Sequence, residues 1–375
     1  MRVAVAGAGI AGLATALALA RRGIDVELFE RARQLEEIGA GIQLSPNAMA
    51  VLRRLDLAAD LAGQLVEPRS IDIHDGGSGA RLTSIPLGET ARARYGAPYC
   101  LVHRADLQAV LNAAARSNPH IALHLASEAR DLRTSESGVV ITAAGRRFLA
   151  DGFVAADGVH SRFRTDFFGH PGPEPTGKMA WRASLPIDSV PPSIRTDATC
   201  LWLAPSAHLV HYPVRGGESL NVVLIANETE SAAPPLERFG AAVLTLIASV
   251  AEWSPWPILA VDPARPWSRG RTVLVGDAAH AMLPSAAQGG AQALEDAWVL
   301  AAMVAAQPTQ VARALAAFER ARRPRVERIA RQARQNLIIY NLAGFPAQIR
   351  NAALKYLPAQ FHAKRLNWLY SWQPA

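Results

Sequence analysis

Cysteine and aromatic residues are scarce in this sequence. Its 375 residues include two cysteines, Cys100 and Cys200, and 6% aromatic residues. The two cysteines lie far apart, without the short spacing of a metal-binding or redox-active pair. We therefore predict no metal site and a reducing compartment, and we interpret both cysteines as small apolar side chains.

Long apolar runs are also missing. No stretch reaches the roughly 18 consecutive apolar residues of a membrane span. The chain leads directly into an apolar strand, without the cleavage pattern of a signal peptide, so we expect a cytoplasmic protein without a transmembrane segment. The formal net charge of +7 can steer an anionic cofactor or substrate. Since no basic stripe is interleaved with stacking aromatic residues, we predict no nucleic-acid partner.

What the sequence does contain is an α/β pattern that is interrupted. Residues 2–30 predict a strand, a glycine turn, a helix and a second strand. Between about 176 and 226, four strand-like segments with Pro and Gly breaks indicate a mostly antiparallel sheet. A buried strand at 272–275 and a helix from about 290 to 306 resume the first pattern. We predict an α/β fold, with a Rossmann-like domain, an inserted antiparallel β domain and a C-terminal helical tail.

The glycine turn Gly7-Ala8-Gly9-Ile10-Ala11-Gly12 has the spacing and context of a dinucleotide-binding fingerprint. Gly7 permits a tight turn, Gly9 lets the backbone approach a pyrophosphate, and Gly12 lets the helix pack closely on the strand. The helix N-terminus offers unpaired N–H groups to the phosphates. Glu30, at the end of the second strand, can accept hydrogen bonds from a ribose. The turn alone does not distinguish FAD from NAD.

Two further motifs follow strands. Asp157-Gly158, within residues 156–162, combines a residue suited to cap a helix with one suited to a tight turn. Gly276-Asp277 follows an apolar strand, so Asp277 is expected at the crevice where open α/β sheets bind ligands. The loop at 284–290 then leads into a helix. The N-terminus of this helix resembles a second site for an electron-rich group.

These three motifs, in this order and at these distances, resemble the single-component (class A) aromatic hydroxylases of the para-hydroxybenzoate hydroxylase type. The resemblance covers nearly the whole chain. It implies FAD at the glycine turn and Asp277 bonded to the ribityl chain. It also implies that the Asp157-Gly158 segment serves both FAD and a transiently bound NADH or NADPH. Arg104 matches an arginine that the family places near the FAD pyrophosphate.

The resemblance also divides the chain and lists its cofactor residues. The FAD-binding domain is expected at 1–72, 98–175 and 268–335, the substrate domain at 73–97 and 176–267, and a helical segment at 336–375. The predicted cofactor-binding residues are Gly7, Gly9, Ala11, Gly12, Glu30, Arg31, Gly41, Arg104, Asp157, Asp277, Gln288, Gly289 and Gly290.

Within the family, residues 39–47, 85–88 and 267–276 resemble the salicylate, 3-hydroxybenzoate and 6-hydroxynicotinate hydroxylases. Two departures matter. The loop 286–292 lacks the asparagine that many relatives carry after its glycines, and Gln43 stands where the hydroxynicotinate enzyme has a histidine. The substrate therefore cannot be transferred from that relative.

The resemblance implies that reduced flavin forms a C4a-hydroperoxide, an electrophile that attacks an electron-rich ring. A neutral His or Tyr can take the proton of a phenol and enrich its ring further. On the strand 207–213, alternation puts His208 and Tyr212 on one face and His211 on the other. Alignment with the hydroxynicotinate enzyme places His208 and Tyr212 at its substrate site, so we predict that these two are catalytic.

The substrate pocket is expected to include side chains from several segments. Arg182 and Arg215 are cations that can hold a carboxylate, and His280 is interpreted as packing and orienting its loop rather than as a base. The predicted substrate-binding residues are Gln43, Arg182, His208, Tyr212 and Pro284.

The sequence thus favours an FAD-dependent, NAD(P)H-consuming monooxygenase that hydroxylates a small aromatic substrate with molecular oxygen. Three alternatives stay open: a hydroxylase of a larger quinone- or polyketide-like ring, a flavin dehydrogenase or reductase without oxygen insertion, and a redox-sensing or scaffolding flavoprotein. The apolar tail at 337–372 covers the FAD domain, forms a homodimer contact or touches lipid.

Overall fold

A computed structural model describes residues 1–35, 40–228 and 233–374. Residue 39, the first residue of the 39–47 segment that resembles the related hydroxylases, lies outside these ranges. The strands, in chain order, are β1 (Arg2–Ala6), β2 (Asp25–Phe29), β3 (Gly41–Leu44), β4 (Ser70–Asp75), β5 (Arg81–Pro86), β6 (Cys100–His103), β7 (Ile121–His124), β8 (Ala129–Thr134), β9 (Val139–Ala143), β10 (Arg146–Ala150), β11 (Gly152–Ala155), β12 (Glu174–Pro186), β13 (Thr199–Ala204), β14 (Ala207–Val214), β15 (Ser219–Asn227), β16 (Ser254–Ala260), β17 (Ser268–Arg269) and β18 (Thr272–Leu274).

The α-helices lie mainly before β12 and after β18. They are α1 (Ile10–Ala20), α2 (Pro46–Arg54), α3 (Glu89–Tyr95), α4 (Arg104–Ser117), α5 (Ala241–Ile247), α6 (Asp277–His280), α7 (Gly289–Ala306), α8 (Val311–Tyr340), α9 (Gly344–Tyr356), α10 (Ala359–Lys364) and α11 (Asn367–Tyr370). The helix expected after Asp157 is a five-residue π-helical turn, Phe163–Phe167.

The N-terminal strand lies inside a sheet. Among the described residues this sheet runs in the order β17-β18-β11-β1-β2-β7, and β1 is parallel to both of its neighbours. Such a strand is covered on both faces and needs a continuous apolar run, which Val3-Ala4-Val5-Ala6 supplies. Helices α1 and α7 pack against each other and belong to the same core. The predicted Rossmann-like α/β architecture is confirmed.

A second sheet carries the substrate side of the molecule. In the described residues its order is β16-β12-β15-β14-β13-β4-β5, antiparallel except where β13 runs parallel to β4. The inserted, mostly antiparallel sheet is therefore present as expected. Three predicted domain limits fall inside elements, since 72/73 divides β4, 175/176 divides β12 and 335/336 divides α8. The division into domains stays a prediction.

The C-terminal helices lie on the edge of this second sheet. Helices α9 and α10 pack against β5, and α11 contacts α2. Arg325 of α8 donates to the backbone oxygens of Trp368 and Leu369, at 3.2 and 2.8 Å, which holds α11 in place. The tail therefore lies against the second sheet through α9 and α10, and its last residues pack on α2 and on the core of the parallel sheet. Within the described ranges, no helix has both the length and the apolar character needed to cross a membrane.

Candidate active site

The glycine turn between β1 and α1 has two tightly packed glycines and one open one. A Cβ at Gly12 would lie 1.8 Å from the Gly7 oxygen, and one at Gly7 would lie 2.4 Å from the Ala156 oxygen. Gly7 also has a φ of 96°, a region that side chains disfavour. At Gly9, by contrast, a Cβ would meet nothing within 4 Å. The turn thus leaves an open cradle at Gly9, beside the N-terminus of α1, of the kind that suits a pyrophosphate.

Glu30 supports this turn from the end of β2. Its two carboxylate oxygens accept the N–H groups of Ala8 and Ala32, at 2.8 and 2.9 Å. An ionised carboxylate has about four acceptor positions, so Glu30 can still accept a ribose hydroxyl. Its neighbour Arg31 is exposed.

Asp157 and Asp277 follow two strands of the parallel sheet, β11 and β18. Asp157 accepts the N–H of Arg162 at 2.9 Å, and burial raises the pKa of its carboxyl. Asp277 begins α6 directly after Gly276, whose φ is 57°. The Asp277 side chain is exposed toward a cavity that Gly9 also lines. All three family motifs thus border this cavity, through Gly9, Gly158 and Asp277.

The Gln288 side chain turns away from the cavity into a buried polar cluster, although its residue borders the cavity. Its amide nitrogen donates to Ser45 Oγ at 2.8 Å, and its oxygen accepts from Asn47 Nδ2 at 3.2 Å. Because the side chain is engaged there, Gln288 can offer a cofactor only its backbone. Two positions further on, Gly290 packs on Ile42, since a Cβ at Gly290 would lie 2.5 Å from Ile42 Cδ1.

A buried charge network fixes the segment that carries Asp277. His280 Nε2 lies 2.6 Å from Asp296 Oδ2, which also accepts the Gly276 N–H at 3.1 Å. Arg322 bonds to Asp296 at 2.8 Å and to its neighbour Glu295 at 2.5 Å. Burial alone would raise the pKa of Glu295, but the guanidinium groups outweigh it and hold that pKa below its usual range. His280 therefore orients its segment, as the sequence indicated.

The predicted residues fall into two groups around a cavity of about 510 Å³. The cavity lies between the 284–290 loop, the second sheet and the C-terminal helices. Those that line it are Gly9, Ala11, Gly41, Gln43, Arg104, Arg182, His208, Tyr212, Asp277, Pro284, Gln288, Gly289 and Gly290. Those that do not are Gly7, Gly12, Glu30, Arg31 and Asp157.

Strand β14 presents the face that alternation predicted. His208 and Tyr212 line the cavity, whereas His211 lies on the other face, with its ring 6.0 Å from that of Trp202. Burial lowers the pKa of His208 to about 4, so its imidazole is neutral near pH 7. His208 Nδ1 lies 2.9 Å from Asn341 Oδ1. Since a carbonyl oxygen only accepts, Nδ1 carries the proton and Nε2 keeps its lone pair.

Tyr212 is a phenol that stays protonated. Burial raises its pKa well above the ordinary value. Its ring has room because of Gly41, where a Cβ would lie 2.6 Å from Tyr212 Cε2. Nearby, Tyr99 donates its hydroxyl hydrogen to Gln43 Oε1. Tyr212 can therefore donate a hydrogen bond to a ligand oxygen but cannot act as a base at neutral pH.

Only one of the two candidate carboxylate-binding arginines reaches the cavity. Arg182 lies on β12, with its guanidinium carbon 5.6 Å from the Trp256 ring centre. Burial lowers the Arg182 pKa, and the charge of Arg104 lowers it further. A cation in this setting favours an anionic ligand. Arg215 lies outside the cavity, half-exposed and 3.8 Å from Asp106.

Sequence reasoning missed several residues that border or support the cavity. Asn341, just after α8, binds His208, and Tyr99 binds Gln43. Tyr370, on α11, also lines the cavity. These residues carry no motif, and only the aromatic character of the tail hinted at them. The adjacent carboxylates Glu295-Asp296 inside an apolar helix were the one readable signal of the buried network.

Comparison with known proteins agrees with this geometry. A family model described as an FAD binding domain matches residues 1–333. The chain is 34% identical to 3-hydroxybenzoate 6-hydroxylase of Klebsiella oxytoca, with 100% of this chain and 97% of that one covered. It is 37% identical to 6-hydroxynicotinate 3-monooxygenase of Bordetella bronchiseptica, over 80% and 81% of the two chains. A solved salicylate hydroxylase substrate complex matches with a TM-score of 0.82 and 25% identity, over 100% and 96%.

The fold and the cavity define a flavoprotein monooxygenase. More specifically, the chain belongs to the FAD-binding family that contains the aromatic hydroxylases of the para-hydroxybenzoate hydroxylase type. The predicted family, enzyme class and FAD cofactor are confirmed.

Proposed function

We propose that this protein uses FAD, molecular oxygen and NADH or NADPH to hydroxylate a small aromatic acid or a phenol-like ring. The observation that carries the proposal is the composition of one cavity. The cavity joins the cofactor-side residues Gly9 and Asp277 to a cation, Arg182, and to the paired groups His208 and Tyr212. Few convergent polar groups in a mostly apolar cavity are typical of a small-molecule site.

The residues present fit FAD. The open cradle at Gly9 and the N-terminus of α1 would receive the pyrophosphate, with Arg104 nearby. Glu30 would accept from the adenosine ribose, and Asp277 from the ribityl chain. When bound and reduced, the flavin supplies an electron pair that converts oxygen into an electrophile.

The remaining side chains would prepare the substrate. Arg182 would bind a carboxylate, and Tyr212 would donate a hydrogen bond to the ring oxygen. His208 Nε2, held in the acceptor form by Asn341, would accept the phenol proton and so enrich the ring. The buried β14 face would keep water away from the reacting ring.

The test is a turnover assay with purified FAD-loaded protein. 3-Hydroxybenzoate, salicylate and 6-hydroxynicotinate are offered with NADH or NADPH, and nucleotide oxidation, oxygen uptake and hydroxylated product are measured together. We expect at least one acid to stimulate nucleotide oxidation and to yield product that contains oxygen from O₂. Product formed without oxygen would indicate a dehydrogenase, and absence of turnover across the panel would contradict the proposal.

A further inference from the structure

The cavity does not end at His208 and Tyr212. It continues across the second sheet to Ile71 and Ile73 of β4 and to Ile85 of β5. It also reaches Leu354 of α9. We name this extension, lined by Ile71, Ile73, Ile85, Leu201 and Leu354, the distal lobe.

Strand pairing shows that the extension follows one continuous row of residues. Arg182 pairs with Val223, Val223 with Val210, Val210 with Leu201, and Leu201 with Ile73. All five side chains line the cavity. Neighbouring strands lie about 4.8 Å apart, so the row is roughly 19 Å long, and Ile73 lies roughly 10 Å beyond the strand of His208. This length exceeds what a single benzoate ring needs.

The five residues that define the distal lobe are apolar, and polar groups lie at its far end. Ile73, Ile85 and Leu201 belong to one buried hydrophobic cluster. At the far end, His362 and Arg365 also border the cavity. His362 Nε2 is buried and has no hydrogen-bond partner among the described residues, and Arg365 is exposed at the mouth. An apolar passage that ends in an imidazole nitrogen and a cation suits an apolar chain with an anionic end.

The C-terminal helices form the outer wall of the distal lobe. Asn351 of α9 donates to Asp75 Oδ2 at the end of β4, at 2.7 Å, and Arg350 donates to the backbone oxygen of Tyr340 at 2.9 Å. These bonds fasten α9 to the sheet and to α8. The wall is therefore a built part of the site rather than a loose covering.

We propose that the distal lobe binds an extended apolar substituent of the substrate. The preferred substrate is then a phenolic ring with an apolar chain that ends in a carboxylate facing His362 and Arg365. The inference rests on the proposed function, because the ring of this substrate would occupy the His208 and Tyr212 site.

The test uses a homologous series of phenolic acids with the FAD-loaded protein. The probes are 4-hydroxyphenylacetate, 4-(4-hydroxyphenyl)butanoate and 6-(4-hydroxyphenyl)hexanoate, and Kd is measured from the flavin difference absorbance. Each buried methylene contributes about 0.8 kcal/mol, so we expect roughly a fourfold lower Kd per methylene. The hexanoate should bind roughly a hundredfold or more tighter than the acetate. Its primary amide should lose part of that gain.

Two tryptophan variants on α9 form a matched pair. Leu354→Trp fills the distal lobe, so the Kd values of the acetate and the hexanoate should become nearly equal. Ile349→Trp lies on the same helix but is 55% exposed and outside the cavity, so it should keep the parent ratio. Arg365→Gln should reduce the difference between the hexanoate and its amide.

The outcomes separate this inference from the proposed function. If the small aromatic acids are hydroxylated but Kd does not fall with chain length, the distal lobe does not bind substrate and the function stands. If Leu354→Trp keeps the full chain-length gain, the inference is also overturned. If no aromatic acid, short or long, is hydroxylated, the proposed function itself fails.

Discussion

The sharpest prediction concerns two histidines on opposite faces of β14, His208 and His211. His208→Gln removes a base but keeps a side chain of similar size, and His211→Gln makes the same change on the opposite face. His211 has both ring nitrogens buried without hydrogen-bond partners among the described residues. Because only His208 borders the cavity, we expect His208→Gln to impair hydroxylation and His211→Gln to leave it close to the parent.

The pKa of His208 sets the size of this effect. General acid–base groups contribute about 10²–10⁴-fold. A phenol has a pKa of about 10, and burial lowers the pKa of His208 to about 4. Full proton transfer across this gap costs roughly 8 kcal/mol before the phenolate attracts the imidazolium, so His208 is a weak base. We therefore expect a loss near the low end, about 10²-fold in product formation, or roughly 3 kcal/mol of barrier.

The assay is hydroxylated product per NAD(P)H consumed, together with a pH profile. Because His208 protonates only near pH 4, kcat/KM should stay flat from pH 7 to about 5 and fall below that. Asn341→Ala removes the hydrogen bond that raises the His208 pKa, so the fall of kcat/KM on the acid side of the profile should move to lower pH. If kcat/KM of the unmodified protein already fell near pH 6.5, this reasoning would be refuted. If His211→Gln were the damaging change, the strand facing would be inverted.

Three further predictions follow from the same contacts. Gly9→Val should abolish FAD retention in a folded protein, since its Cβ meets no protein atom within 4 Å, whereas Gly12→Val should unfold the chain, since its Cβ lies 1.8 Å from a backbone oxygen. Flavin absorbance measures FAD retention and thermal unfolding measures stability. Full flavin content in Gly9→Val would contradict the proposed pyrophosphate cradle. Asp277→Ala should raise the FAD Kd roughly 10- to 150-fold through loss of a charged hydrogen bond, and unchanged flavin content with unchanged turnover would count against the role. Burial lowers the pKa of His208 to about 4 and that of His211 to about 3, so the unfolded chain binds more protons below pH 6.5 and stability is lost as the pH falls; urea unfolding should show a loss on the order of 2 kcal/mol per histidine at pH 5, which His211→Gln should reduce.

Local patterns predicted the elements that carry the cofactor turn. The apolar run of β1, the glycine spacing and the alternation of β14 each depend on residues that are neighbours in the chain, so each can be recognised from the sequence alone. The same alternation explains why His208 lines the cavity and His211 lies on the opposite face of β14.

What the sequence could not state depends on contacts between distant segments. Asn341 reaches His208 across 133 positions, and the distal lobe exists only because α9 and α10 lie on β5. Nothing in the local pattern of the tail selects that sheet edge over the alternatives of lipid or a second copy. The helix expected after Asp157 is a π-helical turn, and within it the buried Arg164 donates to the distant Ala278 backbone oxygen at 3.1 Å, a contact that no local pattern predicts.

The interrupted order of the parallel sheet has a consequence for biosynthesis. Strands β1, β2 and β7 can pair once the first 124 residues have left the ribosome, but β1 gains its other neighbour only with β11, and β11 gains β18 only with residues 272–274. Until then the nascent chain carries an open strand edge, which favours misassociation. Asp277 is translated later still, so we expect flavin capture only after at least 277 of the 375 residues have been made. Flavin supply should thus influence the yield of soluble protein more than the rate of early folding.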